Sequence, residues 1–207
     1  MSSTPQWLGW VQQLQALAQS GLAYNPHPYD AERYEQVRQI AAEIAAHLSH
    51  TDLSLVLELF AGDTGHATPK VDVRGVIFRD DRILLVREHS DGKWTLPGGW
   101  ADIGESAAEA VMREVGEESG YPVKATKLLA VYDRARHAHP PHPWYIYKFF
   151  FRCEITGSPQ AHDSEVDAVD FFKLENLPEL STGRTTVAQI TRFFDHARHP
   201  EWPTDFD

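Results

Sequence analysis

Glu114, Glu117 and Glu118 stand at spacings of three and four residues, followed by Gly120 and preceded by Arg113. On a helix that spacing puts three carboxylates on one face, where they repel one another unless something neutralises them. A hard divalent cation, which takes oxygen ligands, turns the repulsion into attraction. Upstream, Leu96-Pro97-Gly98-Gly99 reads as a turn, where a glycine lets a backbone carbonyl approach a metal closely. A solvated acidic helix face is the plainer reading of any charge run. It leaves the glycine-rich entry and Arg113 without a role.

These residues need a helix to hold them. Ser106 and Glu109 have capping-box spacing, and Ala107, Ala108, Ala110, Val111 and Met112 favour helix. Gly116 is the exception, a mid-helix glycine costing about 1 kcal/mol against alanine. Before the helix, Val71, Val73, Gly75 and Ile77 alternate, and Asp80-Asp81 turns the chain into Ile83-Leu84-Leu85-Val86. Residues 127–133, 145–155 and 169–174 read as further strands, and 185–197 as a helix with Val187, Ile190, Phe194 and Ala197 on one side. Residues 200–207 read as a loose tail.

Residues 1–66 have a different period. Leu8, Val11, Leu14 and Leu17 make a helical stripe that Gly21 would end. Asp30 would cap a second helix with the stripe Tyr34, Val37, Ile40, Ile44 and Leu48, and a short third helix runs from about Asp52 to Phe60. The expected division is a helical domain at 1–66 and a second domain at 67–207. Three short helices bury little by themselves, so their stripes need a partner.

The run from Gly99 to Tyr121 fixes Gly99, Glu105, Arg113, Glu114, Glu117, Glu118 and Gly120. Such a set arises by chance on the order of once in 10⁸ start positions. It resembles the Nudix box of the hydrolases that cleave diphosphates joining a nucleoside to another group, departing only at Tyr121, where the family has an aliphatic residue. The resemblance implies an α/β (α+β) Nudix fold, a mixed sheet between helices, preceded here by the small helical domain. It implies Mg²⁺ or Mn²⁺ carried by Glu114, Glu117 and Glu118, assisted by the Gly99 carbonyl and secondarily by Glu105. Arg113 would orient a box glutamate through a bidentate contact. The general base would be a box glutamate or a later loop acid, for which Glu165, in His162-Asp163-Ser164-Glu165-Val166-Asp167, is the candidate. The helical front piece, Trp100 and Leu180-Ser181-Thr182-Gly183-Arg184 are similar to a bacterial subfamily acting on X-linked nucleoside diphosphates, of the CDP-choline or ADP-ribose type. Many ADP-ribose hydrolases have a proline where Arg136 stands here, which weakens that choice. The resemblance also implies a homodimer through the helical domain, with Trp7, Trp10, Leu14, Tyr34 or Val37 near the contact.

Arg74 and Arg87 alternate with apolar neighbours and are candidates to meet phosphates, or else face outward. Trp100 is a candidate substrate contact beside the turn, and His137, with His139 and His142, belongs to a His- and Pro-rich loop read as rimming the substrate. Net charge is −11, a field that repels nucleic acid and membranes and leaves nucleotide binding to metal ions and local cations. The single cysteine, Cys153, excludes an intrachain disulfide and suits a reducing cytoplasm; no signal peptide or membrane span is read. Hydrolysis of nucleoside triphosphates or RNA 5′ ends keeps the chemistry but changes the substrate. A non-catalytic ligand sensor keeps the fold alone, and an intact box with an acidic front domain argues against it.

Overall fold

The protein is described from a computed structural model covering residues 5–161 and 165–207. It divides into two compact units, one of residues 5–69 with Pro141–Tyr145 and one of Lys70–Pro140 with Ile146–Asp207. The short Pro141–Tyr145 segment groups with the helices, against a linear division of the chain. Gln12 holds it there by donating from Nε2 to the His142 carbonyl oxygen at 2.9 Å. Among the described residues no helix is long and apolar enough to cross a membrane.

The helical unit contains α1 (Gln6–Ala23), α2 (Pro28–Ser49) and α3 (Leu53–Ala61). Its core joins Val11 of α1 to Ala41, Ala42, Ala45 and Ala46 of α2 and to Val56 and Phe60 of α3. The expected large-residue stripe of α2 is therefore displaced. Ile40 and Leu48 are exposed while four alanines are buried, because small side chains permit close approach of α1 and α2. The stripe on α1 holds for Leu8 and Val11, but Leu17 faces solvent. Gly21 does not end α1; a Cβ there would lie 2.5 Å from the Tyr34 ring, so this glycine makes room for an aromatic. Asp30 lies in the first turn of α2, which begins at Pro28. Asp52 caps α3 by accepting from the Ser54 N–H.

The second unit is built on β1 (Lys70–Val76), β2 (Phe78–Arg79), β3 (Arg82–Glu88), β4 (Trp94–Thr95), α4 (Ala107–Ser119), β5 (Val123–Asp133), β6 (Ile146–Ile155), β7 (Val166–Phe172), α5 (Val187–Arg198) and β8 (Asp205–Phe206). One sheet has the order β1-β6-β5-β8, with β1 parallel and β5 antiparallel to β6. In the other, β2, β4 and β7 all pair antiparallel with β3. Asp80 and Asp81 both have positive φ, closing the β2–β3 hairpin with the backbone that two-residue turns demand.

Strand alternation sorts the core into two layers. Val73, Ile77, Leu84 and Phe151 pack with Ala110, Val111 and Val115 of α4. Val76, Leu85 and Phe150 pack with Ile190, Phe193 and Phe194 of α5. Neighbours such as Phe150 and Phe151 thus serve opposite faces, and full burial of each such side chain stabilises by about 1.5–3 kcal/mol. Both helices begin with complete capping boxes, Ser106 with Glu109 and Thr186 with Gln189. On α5, however, Val187 is exposed.

One further expectation is corrected. The C-terminal residues are tied down rather than loose: β8 pairs parallel with β5, and Asp205 takes bonds from Arg192 at 2.6 and 2.7 Å. Tyr121, the departure from the box, stacks under Arg79 together with Phe171, which gives the larger ring a packing role. At Gly116 an added Cβ would have nothing within 4 Å. Gly116→Ala should therefore stabilise the chain by about 0.5–1 kcal/mol, read as a higher denaturation midpoint with unchanged slope.

Candidate active site

The turn at 96–99 is held by β1: the Gly75 N–H donates to the Pro97 carbonyl, and the Val73 N–H to the Gly99 carbonyl, each at 2.8 Å. Gly98 has φ +136°, and a Cβ on it would collide with the Val73 carbonyl. Only glycine fits there. The bond from Val73 occupies one lone pair of the Gly99 carbonyl and leaves the other.

Against this turn α4 places its carboxylates. The Gly98 N–H donates to Glu118 Oε2 at 2.8 Å. The Glu114 carboxylate lies so close to Gly99 that a Cβ there would stand 2.7 Å from Oε2. Burial raises the Glu118 carboxyl to about 8, with Arg74 opposing and the Glu88 and Glu114 charges adding to the rise. Burial likewise raises Glu114. Carboxylates gathered in a poorly solvated place without enough cation to match them are a donor set suited to a divalent metal.

Arg113 is the organiser of the outer carboxylates. It grips Glu105 through Nε and Nη2, reaches Glu114 at 3.0 Å and Glu117 at 2.9 Å through Nη1, and approaches Asp102 at 3.4 Å. Its bidentate partner is Glu105. Both Glu105 oxygens are engaged there, so Glu105 holds Arg113 in place. Among the described residues no group of three or more His, Cys, Asp and Glu is placed to hold a metal ion as the side chains stand; Glu117 is half exposed and bonded to Arg113 at 2.9 Å.

Several candidates are redirected by their surroundings. Arg74 is buried, bonded twice to Asp72 and once to the Leu96 carbonyl. It balances Asp72 and Glu118 from below instead of offering an exposed grip on phosphate. Arg87 shares the strand parity of Leu85, which packs on the α5 layer, so it points away from α4; its end lies 3.7 Å from Asp167. His137 stacks on Tyr132 and meets Asp207 at 3.0 Å, which commits its ring to the C-terminal residues. His139 does not rim anything. It is buried, bonding Thr182 O through Nδ1 and Gln189 through Nε2, and burial lowers it to about 4, so it is neutral. His142 belongs to the other unit. Trp100 remains 46% exposed beside the turn. Glu165 is exposed and its carbonyl accepts from the His89 N–H; its neighbours 162–164 lie outside the described residues.

The structure adds residues that the sequence pattern passed over. Asp72 pairs across the strands with Lys148, which donates to it at 2.5 Å, and both are buried. Burial would raise Asp72, but Arg74 and Lys148 outweigh it and hold the carboxyl at about 2. Glu88 is held by Arg184 at 3.1 Å, so the Leu-Ser-Thr-Gly-Arg stretch borders the acidic cluster. Charged residues inside apolar strands, as in Ile146-Tyr147-Lys148-Phe149, were the available signal.

Comparison with known proteins identifies the family. Residues 5–60 match the family described as UDP-X-like, N-terminal oligomerisation domain, and residues 68–194 match the NUDIX domain. A Bacillus subtilis (strain 168) protein, provisionally named ADP-ribose pyrophosphatase YjhB, is 44% identical over 97% of each chain. A crystal structure of a UDP-X diphosphatase is similar over 99% of this chain and all of the other, with a TM-score of 0.64 and 31% identity. An ADP-ribose pyrophosphatase from Streptococcus suis 89-1591 covers 68% of this chain and all of its own, with a TM-score of 0.62 and 39% identity. The chain belongs to the Nudix family, as a hydrolase of phosphorus-containing acid anhydrides.

Proposed function

We propose that this protein is a Mg²⁺- or Mn²⁺-dependent pyrophosphohydrolase that cleaves a nucleoside diphosphate linked to a small group X, giving a nucleoside monophosphate and phospho-X. The observation that carries this reading is the convergence of Glu114 and Glu118 on the Gly98-Gly99 turn, with burial raising both carboxyls. Glu114, Glu117 and Glu118 would hold the cation, with the second lone pair of the Gly99 carbonyl available to it. When bound, such an ion neutralises phosphoryl oxygens and makes a coordinated water acidic. Arg113 keeps the outer carboxylates oriented, and Trp100 offers an exposed ring to the substrate beside them. The full-length likeness to a UDP-X diphosphatase and to an ADP-ribose pyrophosphatase homologue supports the X-linked class over triphosphates and RNA 5′ ends. A panel of UDP-sugars, CDP-choline, ADP-ribose and triphosphates, each with Mg²⁺ and with Mn²⁺, tests it. Turnover confined to triphosphates, or none at all, would overturn the reading.

Glu165 is the proposed general base, an exposed acid immediately before the start of β7. Glu165→Gln should then lower kcat about a hundredfold or more with KM and metal affinity nearly unchanged. An unchanged kcat returns the role to Glu114.

The helical unit is proposed to make a homodimer. The family it matches has oligomerisation in its description, and the unit exposes the large apolar side chains Trp10, Leu17 and Ile40, as a surface that meets a partner does. A cytoplasmic setting fits the single, buried, free Cys153. Sedimentation at micromolar concentration should give twice the chain mass, and a chain starting near Thr68 should sediment as a monomer with a lower melting temperature. A monomeric full chain refutes it.

A further inference from the structure

Beyond the box carboxylates, the second unit buries three cations near Asp72. Arg74, Lys148 and Arg134 are each at most 7% exposed, and Asp72 stands among them. Arg74 and Lys148 reach Asp72 directly. Arg134, immediately after β5, has no carboxylate within ion-pair distance among the described residues. Its bonds go only to carbonyls: Nη1 to Pro140 at 2.8 Å, and Nε and Nη2 to Gly183 at 3.4 and 3.3 Å.

An arginine carries five N–H donors and a lysine ammonium three. Three bonds from Arg134 and one from Lys148 leave two donors unspent on each. Burying a cation is costly, and burial depresses both Arg134 and Lys148, the latter to about 8, although the Asp72 charge opposes the shift in each. The place is also continuous with the acidic cluster. Lys148 is in register with Asp72 on one side and Tyr132 on the other, two strand spacings or about 10 Å in all. Asp72 in turn bridges Trp100, the residue after Gly99.

We propose that Arg134, backed by Lys148, is a phosphoryl-binding residue that takes oxygens of the substrate's diphosphate on the side away from the box carboxylates. The assignment rests on the pyrophosphohydrolase reading for its substrate, but the oxyanion site itself does not. Planar, forked donors suit phosphoryl oxygens, and a guanidinium stays charged even where burial disfavours it.

The test uses the full chain in EDTA, with inorganic pyrophosphate and inorganic phosphate as separate probes. Wild type should be stabilised by pyrophosphate without any metal, more strongly than by phosphate, and the affinity should fall as salt rises. Arg134→Gln should lose pyrophosphate affinity at least tenfold. Arg134→Lys, which keeps the charge and loses the fork, should lose at least threefold and serves if the Gln variant does not fold. With the substrate that turns over, both should raise KM more than they lower kcat. No thermal shift in wild type, or unchanged affinity in a folded Arg134→Lys, overturns the proposal. Stabilisation by phosphate equal to that by pyrophosphate also overturns it, as the mark of a free-phosphate site. Anion binding that depends on Arg134 in a protein that hydrolyses nothing on the panel would leave the oxyanion site standing and remove the enzyme reading.

Discussion

Glu118→Gln is expected to reduce hydrolysis at least a hundredfold and, in the same protein, to raise the melting temperature of the metal-free form at pH 9. The first effect follows from losing a charge at the proposed cation site while keeping the shape. Electrostatic contacts of that kind are worth about 3 kcal/mol or more in a transition state. The second follows from burial. In the folded chain the Glu118 carboxyl keeps its proton until about pH 8, whereas its ordinary value is 4.5. Between those values the folded state holds more protons than the unfolded one, so its stability falls as pH rises through that window and stays low above it. A glutamine has no such penalty, and its side-chain oxygen can still accept from the Gly98 N–H. Melting curves in EDTA at pH 5 and pH 9 should therefore coincide at the lower pH and separate at the higher. Added Mn²⁺ should reverse the order by stabilising wild type alone. A wild type that is the more stable protein at pH 9 without metal would contradict the burial argument, and normal turnover of the variant would remove Glu118 from the site.

Gly99→Ala should be nearly as damaging to activity without removing any charge. The new methyl would begin 2.7 Å from Glu114 Oε2, so the carboxylate must move by about 1 Å, a displacement that costs on the order of a hundredfold where reacting groups are aligned. Gly99 does not have the positive φ of Gly98, and the group in its way is the end of a flexible side chain. Stability should accordingly change little. Gly98→Ala is the contrast: its methyl meets backbone at a φ of +136°, so the turn itself fails and the melting temperature drops. Mn²⁺ titrations of the two variants beside their melting curves separate a displaced ligand from a broken turn. Full activity in Gly99→Ala would mean that the position of Glu114 is unimportant to the reaction.

Strand pairing runs from the exposed Trp100 through Asp72 and Lys148 to Tyr132, two residues before the buried Arg134. On the proposed reading, a diphosphate with groups at both ends would match that line better than a triphosphate. Under that proposal a chain of net charge −11 would receive an anion through cations that are few, buried and local, where the effective dielectric is low.

What the sequence alone determined is the part governed by local rules. The 3.6-residue period and the Ser106–Glu109 capping box specify α4 and put three glutamates on one face; the glycine pair specifies the turn that receives them; alternation specifies β1, and the Asp80-Asp81 turn into an apolar run specifies β3. Those features depend on neighbours a few residues away. The roles of isolated side chains depend on what lies opposite, and there only the tertiary structure decided. Arg74 reads as a phosphate contact until Asp72 and Leu96 surround it, and His137 and His139 read as one loop until Asp207 claims the first and Thr182 with Gln189 the second. On α2 the same period fits either the large residues or the alanines, and contact with α1 and α3 selects the alanines. The C-terminal residues carry no period at all, yet Arg192, His196 and Tyr132, between 9 and 73 residues away along the chain, converge on Asp205 and order them. Periodicity records which face a side chain takes, but charge pairing across the fold records what that face meets, and such pairing has no fixed spacing in sequence.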